Sequence, residues 1–237
     1  MKELWVVLLI GAAAVLSVFS RKLTISGGIA GFIVGFALYS GTGWPGLVLM
    51  ALFFFLATIA TQLDKQHKAA IDSKVFQIRR NAGQVLANGG IAAALGCYAY
   101  LIPGSKAVCF LAIAGSLSAA TADTLSSEIG TLYGRRFYNI LSLQPDQKGR
   151  DGVVSLEGIA VGLAGSSNIA LVYCCYVGWS EHFYIILAAG LIGNILDSII
   201  GASLERRHLV GNDFVNWANT LTGALSALGL TFLIHTL

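Results

Sequence analysis

Residues 107–125 read AVCFLAIAGSLSAATADTL, an apolar run in which the single ionisable side chain, Asp123, comes near the end. An apolar run of about 20 residues is long enough for a helix to cross the hydrocarbon core of a membrane. With this stretch included, the apolar runs are approximately residues 4–19, 25–39, 44–63, 82–102, 107–125, 156–177, 183–203 and 215–234. The sequence therefore predicts an all-α fold, a polytopic membrane helix bundle with about eight transmembrane helices.

The overall composition agrees with this prediction. Of the 237 residues, 56% are hydrophobic and only 11% are charged, whereas a soluble domain of this size would show amphipathic periods. No low-complexity tract or internal repeat divides the chain. We therefore predict a single integral membrane domain over residues 1–237, with two longer cytoplasmic loops at residues 64–80 and 132–155.

The positive charges predict the orientation of the bundle. Thirteen of the fifteen Lys and Arg residues lie in alternate connections between the runs, and only Lys2 and Lys106 lie elsewhere. Positive residues near the ends of spanning helices stay on the cytoplasmic side. Both termini are therefore expected outside. The net charge of +3 follows from this topology and does not indicate binding to nucleic acid. We therefore expect membrane lipids and no nucleic acid as partners. A homo-oligomer is left open.

Carboxylates within the runs indicate a functional site. An ionisable group inside a spanning segment is costly unless it pairs, binds a metal or faces water. In the predicted topology, Asp123 lies about 24 Å down a hydrocarbon core of about 30 Å. Asn194 and Asp197 are spaced i and i+3, so they share one face in the inner half of the seventh helix. All three residues are expected near the cytoplasmic face.

Helices that enter from the cytoplasm carry polar residues at their beginnings. These residues are Asn81, Gln84, Asn88, Glu157, Asn216 and Asn219. Together with the fifth and seventh helices, five helices bring amides and carboxylates to one depth. No Lys or Arg lies within the same helices to neutralise Asp123 and Asp197. Because Mg²⁺ favours one or two carboxylates together with substrate phosphates, we predict Mg²⁺ as the cofactor.

Several stretches resemble a known family. They are residues 80–89, 122–130, 152–158, 194–202 and 212–220, in the expected order along most of the chain. The chain resembles the family of multi-spanning membrane proteins that includes plant and cyanobacterial phytyl-phosphate kinase and an uncharacterised animal transmembrane protein. The resemblance implies a kinase of tocopherol biosynthesis, which transfers a phosphoryl group from a nucleoside triphosphate, CTP by analogy, to an isoprenyl monophosphate such as phytyl phosphate.

Residue roles follow from combining this chemistry with the polar positions. We predict Asp123, Glu128 and Asp197 as catalytic residues, and Asp123 and Asp197 as metal ligands with help from Glu128 and Glu157. The predicted substrate and nucleotide contacts are Arg79, Arg80, Asn81, Gln84, Asn88, Lys148, Arg150, Ser155, Glu157, Asn194, Asn216 and Asn219. The apolar tail would lie between helices or between protein and lipid, with its phosphate at the cytoplasmic interface.

Two other functions fit parts of the same pattern. An ion-coupled transporter also has Gly-rich helices and buried carboxylates, but such carriers place their sites near the membrane midplane. Another Mg²⁺-dependent lipid phosphotransferase, such as a prenol kinase, would use a similar set of residues. The D-x-x-D-G-x-x-A-R signature of CDP-alcohol phosphotransferases is absent from the sequence.

The predicted topology can be tested with single cysteines introduced in cells. We expect a cysteine at Ser180 to react with a membrane-impermeant reagent added outside, and a cysteine at Lys68 to be protected, because the positive loops face the cytoplasm. The reverse pattern, with Ser180 protected and Lys68 labelled, would contradict the topology.

Overall fold

The structure, a computed structural model, describes residues 2–63 and 79–236. The helices of these residues are α1 (Lys2–Phe19), α2 (Ile25–Thr42), α3 (Trp44–Gln62), α4 (Ala82–Leu101), α5 (Lys106–Tyr133), α6 (Leu156–Val177), α7 (His182–Ile200) and α8 (Asn212–Thr236). A 3₁₀ turn precedes α5 (Pro103–Ser105), and a π turn follows α7 (Gly201–Glu205). Short strands β1 (Tyr138–Asn139) and β2 (Val153–Val154) pair in antiparallel fashion.

The predicted all-α helix bundle is confirmed. Most of the predicted runs begin and end within three residues of the ends of the corresponding helix. Helix α5 is the clearest difference, since it continues to Tyr133 instead of ending near residue 125. Its extra turns are polar and carry Glu128, so the apolar run alone did not reveal them. Of the predicted loop at residues 64–80, only Arg79 and Arg80 lie within the described residues.

The number of spanning helices follows from length and composition. Among the described residues, six helical stretches are long and apolar enough to cross a membrane: 25–42, 44–62, 103–133, 156–177, 182–205 and 212–236. Helix α1 is apolar but shorter. Helix α4 is long enough, but Gln84 and Asn88 lie within it and lower its apolar character. Both are nevertheless part of the bundle, since α1 packs on α2, and α4 packs on α2, α5 and α8.

Helix α5 forms the centre of the bundle. It packs against α3, α4, α6, α7 and α8, and residues 109–122 are continuously buried. Most of these buried side chains are small, because Ala, Gly, Ser and Thr predominate in the stretch. Small residues let neighbouring helix backbones approach closely in membrane bundles. The composition of α5 thus explains how so many helices surround it.

The closest approaches occur where glycines of two helices meet. A Cβ atom at Gly115 of α5 would lie 2.5 Å from the carbonyl oxygen of Gly223 of α8, and a Cβ at Gly223 would lie 2.5 Å from that of Gly115. Helices α2 and α4 are equally close, since a Cβ at Gly41 would meet the carbonyl of Gly96, and a Cβ at Gly96 would lie 2.6 Å from the carbonyl oxygen of Ala37. At these positions any side chain would push the helices apart.

Side-chain hydrogen bonds also join the helices. The hydroxyl of Ser118 on α5 donates to the carbonyl of Ile186 on α7 at 3.0 Å, and that of Thr220 on α8 lies 3.2 Å from the carbonyl oxygen of Ala87 on α4 and 2.9 Å from that of Trp217 in its own helix. Such bonds between membrane helices contribute about 0.6–2 kcal/mol each. They fix the relative heights of the helices that carry the polar residues.

The glycine contact between α5 and α8 can be tested by adding one methyl group. We expect Gly115→Ala to destabilise the protein by about 1–3 kcal/mol, because the new Cβ would meet Gly223 and Ala227. A thermal unfolding curve in detergent should show a Tm lower by several degrees. Gly229→Ala on α8 is the matched control, since nothing lies within 4 Å of its Cβ position, and it should leave the Tm unchanged or raise it. An equal loss in both variants would contradict the proposed contact.

Candidate functional site

The centre of the candidate site is a pair of carboxyl groups on α5 and α7. Asp123 lies about 25 Å along α5 from its first residue, and Asp197 lies about 22 Å along α7. The two side chains are at hydrogen-bonding distance from one another. Both are partly buried. Two of the three carboxylates that we predicted as catalytic are thus in direct contact at one level of the bundle.

This pair fits a divalent cation. Two ionised carboxylates in contact repel each other, so they need a shared proton or a positive charge between them. Two more acidic side chains, Asp151 and Glu205, interact electrostatically with Asp197. Among the described residues, no Lys or Arg side chain lies between Asp123 and Asp197. A group of carboxylate oxygens of this kind has the chemistry of a Mg²⁺ site. Asp123 and Asp197 would be its principal ligands.

The π turn after α7 carries Glu205, and the loop between β1 and β2 carries Asp151; both act electrostatically on Asp197. Beyond Ile200 the helix widens into the π turn, and such turns are frequent at functional sites. Gly152 has a φ of +69°, and a Cβ on it would lie 2.5 Å from the carbonyl of Ser198. The loop backbone therefore lies directly against the end of α7. Sequence reasoning missed both acidic residues, although Glu205 follows Asp197 by about two helical turns.

Arg206 connects this loop to α7. Its Nη1 donates to Asp146 Oδ2 at 2.8 Å, and its Nε and Nη2 donate to the carbonyl of Asp151 at 3.1 and 2.5 Å. The hydrogen bond from Arg206 is the main cause that lowers the pKa of Asp146 to about 2. Asp146 is therefore ionised near neutral pH. Arg150 also approaches it, with 3.7 Å between Nη1 and Oδ1. We call the contacts of Arg206 with Asp146 and Asp151 the arginine strap.

Buried amides surround the carboxylate pair. Asn194 lies beside Gly162 of α6, whose Cβ position would be 3.2 Å from Asn194 Nδ2 and 2.9 Å from the carbonyl of Ala122. Asn219 of α8 is completely buried, and its Nδ2 donates to the carbonyl of Ala119 at 3.4 Å. These contacts place both amides within about one turn of Asp123.

Two of the amides have an unsatisfied acceptor. Asn88 Oδ1 and Asn219 Oδ1 are buried and have no hydrogen-bond partner in the part of the chain that the structure describes. Buried polar atoms are nearly always paired with protein or water, so an unpaired one needs an explanation. A water or substrate group that donates to them would supply it.

Other predicted contacts are engaged in local structure. Asn81 and Gln84 form a capping box at the start of α4, each side-chain oxygen accepting from the other residue's backbone N–H at 3.0 Å. Ser155 caps α6 by accepting from Gly158 N at 3.1 Å. Asn216 Nδ2 donates to the carbonyl of Asn212 at 3.0 Å. The capping box leaves the amide NH₂ groups of Asn81 and Gln84 as the parts that could donate to a phosphate.

Arg80 is held between helices instead of facing open solvent. Its Nη2 lies 3.4 Å from both the carbonyl of Ala57 and the hydroxyl of Thr61 on α3, and its guanidinium is 6.0 Å from the ring centre of Phe53. Burial lowers the pKa of Arg80, and the nearby charge of Glu128 opposes this effect. Arg80 therefore links α3 to the start of α4 and interacts with Glu128.

A separate open pocket lies where α5 ends and α6 begins. It has a volume of about 370 Å³ and is lined by Arg135, Arg136, Tyr138, Leu156 and Glu157. Glu157 thus shares this pocket with two arginines, whereas Asp123 and Asp197 do not line it. Of the remaining predicted contacts, Arg79 is exposed and the Lys148 ammonium lies 5.7 Å from the ring centre of Phe137.

Known proteins resemble this chain along most of its length. An uncharacterized membrane protein of Methanocaldococcus jannaschii is 31% identical over 219 residues, which cover 92% of this chain and 90% of that protein. Protein VTE6, chloroplastic, of Arabidopsis thaliana is 30% identical over 215 residues, with 87% of this chain and 64% of that protein covered. Protein PGR of the same plant is 29% identical over 210 residues, with 78% and 73% covered.

No solved structure matches the chain significantly. Residues 8–224 match the family described as Integral membrane protein DUF92. The match includes the whole of the carboxylate pair, the loop with the arginine strap and the buried amides. The family resemblance predicted from the motifs is therefore confirmed, and the chain belongs to the DUF92 family of integral membrane proteins.

Proposed function

We propose that this protein is a nucleoside-triphosphate-dependent isoprenyl-phosphate kinase, with CTP as the donor. The observation that carries the proposal is the contact between Asp123 and Asp197 inside a membrane helix bundle. The motifs around both residues resemble the family that includes phytyl-phosphate kinase, and this resemblance supports phytyl or a similar isoprenyl monophosphate as the acceptor. A metal-dependent phosphoryl transfer explains why a membrane bundle carries these acidic side chains.

The proposed reaction forms one P–O bond and breaks another. An oxygen of the acceptor monophosphate attacks the γ-phosphorus, and the bond from that phosphorus to the β,γ-bridging oxygen breaks, which releases the nucleoside diphosphate. The second pKa of a phosphate monoester is about 6, so the attacking oxygen is largely ionised near neutral pH. No strong general base is required, and the protein acts by positioning and charge stabilisation.

The acidic residues suit the cofactor that we predict. When bound, Mg²⁺ would neutralise charge on the β- and γ-phosphate oxygens. Asp123 and Asp197 would hold it, and Asp151 and Glu205 add negative charge near the pair. The predicted helper Glu128 lies near Asp123 and Arg80. Glu157 lies in the separate pocket and is a less suitable ligand.

Two sets of hydrogen-bond donors are available to the phosphate groups: amides within the bundle and arginines that line the open pocket. The amide groups of Asn194 and Asn219 lie close to the carboxylate pair, and that of Asn88 lies in α4, which packs against α5 and α8. Arg135 and Arg136 line the pocket at the same end of the bundle. Guanidinium groups bind phosphate oxygens with two parallel hydrogen bonds. We assign the amides to the transferred phosphoryl group and the arginines to the outer part of the nucleotide.

The depth of the pair favours a kinase over an ion-coupled transporter. Asp123 and Asp197 both lie in the second half of their helices, on the side that the positive charges predict as cytoplasmic, where nucleotides are present. A carrier would need its site near the midplane, typically between interrupted helices. Helices α5 and α7 are continuous through Asp123 and Asp197, and the π turn begins only beyond them.

The proposal can be tested with purified protein in detergent. The protein would be incubated with Mg²⁺, phytyl or geranylgeranyl monophosphate and each of the four nucleoside triphosphates, and lipid products would be separated. We expect an isoprenyl diphosphate, most abundant with CTP. Phytol in place of phytyl phosphate is the control for a prenol kinase. Formation of phytyl monophosphate from phytol, with no diphosphate from the monophosphate, would exclude the proposed acceptor.

The carboxylate pair can be tested with isosteric amides. Asp123→Asn and Asp197→Asn should each lower turnover more than about 100-fold, because an amide lacks the negative charge that stabilises a bound cation. Glu3→Gln on α1 is the control, since Glu3 is an exposed carboxylate on another helix, and it should keep full activity. All variants must elute from size exclusion like the unmodified protein. Near-normal turnover in either Asp variant would reject that residue as a ligand.

The arginine strap gives a second prediction. Arg206→Ala should reduce kcat/KM at least about tenfold, because its loss removes the hydrogen bonds that hold the Asp151 loop against α7. The adjacent Arg207 is exposed, so Arg207→Ala is a matched control with an expected change within about twofold. Steady-state kinetics of both variants would measure these changes in kcat/KM. Equal kinetics in the two variants would show that the strap does not position the site.

A further inference from the structure

A second group of ligating side chains lies at the opposite end of the bundle from the carboxylate pair. Glu181 and His182 are at the start of α7, and His235 is in the last turn of α8. Asp197 is further along α7 by about 22 Å. Helices α7 and α8 pack against each other, which is why the first residues of one meet the last turn of the other. None of the three residues takes part in the proposed phosphoryl transfer.

The three side chains are close enough to share one ion. Each offers a ligand atom, and these atoms all lie within 4.8 Å of one another. Nε2 of His235 is 3.6 Å from Oε1 of Glu181. Ligand atoms bound to one tetrahedral Zn²⁺ at about 2.0–2.2 Å are about 3.3 Å apart. Glu181 and His235 are exposed, so small side-chain rotations suffice to close the remaining distance.

The imidazole of His182 is held in place by two neighbours. Its Nδ1 is 3.0 Å from the hydroxyl of Ser180. Its ring stands edge-on to that of Tyr173, with 5.8 Å between the centres and 77° between the planes. A hydrogen bond and a packing contact that orient the imidazole are typical of histidines that bind metals. The site therefore has one oriented ligand on a rigid helix start and two ligands that can adjust.

We propose that Glu181, His182 and His235 bind one divalent transition-metal ion, with zinc as the best match. Two imidazoles and one carboxylate form a ligand set that Zn²⁺ uses in proteins. Imidazole nitrogen suits zinc, whereas Mg²⁺ prefers oxygen ligands only. The two ends of the bundle would thus select different cations. The zinc ion would clamp the last turn of α8 to the start of α7 and restrain the end of α8.

Zinc binding can be measured directly on the full-length protein in detergent. The affinity tag must be removed first, because a histidine tag binds zinc itself. Isothermal titration with ZnCl₂ should show one saturable site per chain. His182→Ala and His235→Ala should each weaken the affinity at least about tenfold, since even the loss of a residue that only orients a ligand costs 10–100-fold. Zinc should also raise the Tm of the unmodified protein, because it binds the folded state.

A control variant and a second readout keep the test decisive. His208→Asn removes an imidazole far from the cluster, and Asn tolerates its positive φ of 59°; this variant should bind zinc normally. Glu181→Gln should weaken binding and reduce the zinc-induced rise in Tm while retaining the side-chain shape. Unchanged binding in the His182 and His235 variants, or an equal loss in His208→Asn, would overturn the proposal. The contact of Glu181 with His235 would then be an ordinary surface pair of little energetic importance.

Discussion

The burial of α5 on all sides is the constraint on which the other features of this bundle depend. Helices can approach one another from several directions only where side chains are small, and residues 109–122 consist largely of Ala, Gly, Ser and Thr. The glycine contact between Gly115 and Gly223 shows how closely the backbones meet. Asp123 follows directly on this stretch. Near it, Gly162 of α6 approaches Ala122, Asp197 of α7 contacts Asp123 itself, and Asn219 of α8 donates to Ala119.

One part of the candidate site, the part that includes Asp151, is formed by a loop and not by a helix. The loop that contains β1 and β2 contributes Asp151, and the arginine strap together with Gly152 fixes that loop against the end of α7. An acidic loop would otherwise be repelled by Asp197 and Glu205. The charge of Arg206 and the hydrogen bonds it donates offset that repulsion. A cation bound between the acidic groups would offset more of it, which is consistent with a metal-dependent role for this end of the bundle.

Sequence and structure agree best where the polar residues lie within spanning segments. Asp123, Asp197, Asn194 and Asn219 were predicted at one depth, because helix length and the side of entry determine how deep a residue lies. The contact between Asp123 and Asp197 supports that prediction. The prediction was less informative for Arg80, Asn81 and Ser155, which link or cap helices in the structure. A polar residue at a helix start satisfies free backbone N–H groups as readily as it binds a phosphate, and one sequence does not distinguish these roles.

The sequence by itself determined the class of fold, the approximate bounds of the helices and the family, because these depend on the length of apolar runs and on local motifs. It also singled out the two carboxylates that lie at the centre of the candidate site. Only the tertiary structure decided which side chains come near one another: Glu205 and Asp151 act electrostatically on Asp197, Glu157 lines one pocket with Arg135 and Arg136, and Glu181 contacts His235. These contacts depend on the rotation and packing of whole helices and on the path of a loop. Such geometry is set by the close contacts between backbones, and the spacing of residues along the chain does not predict it.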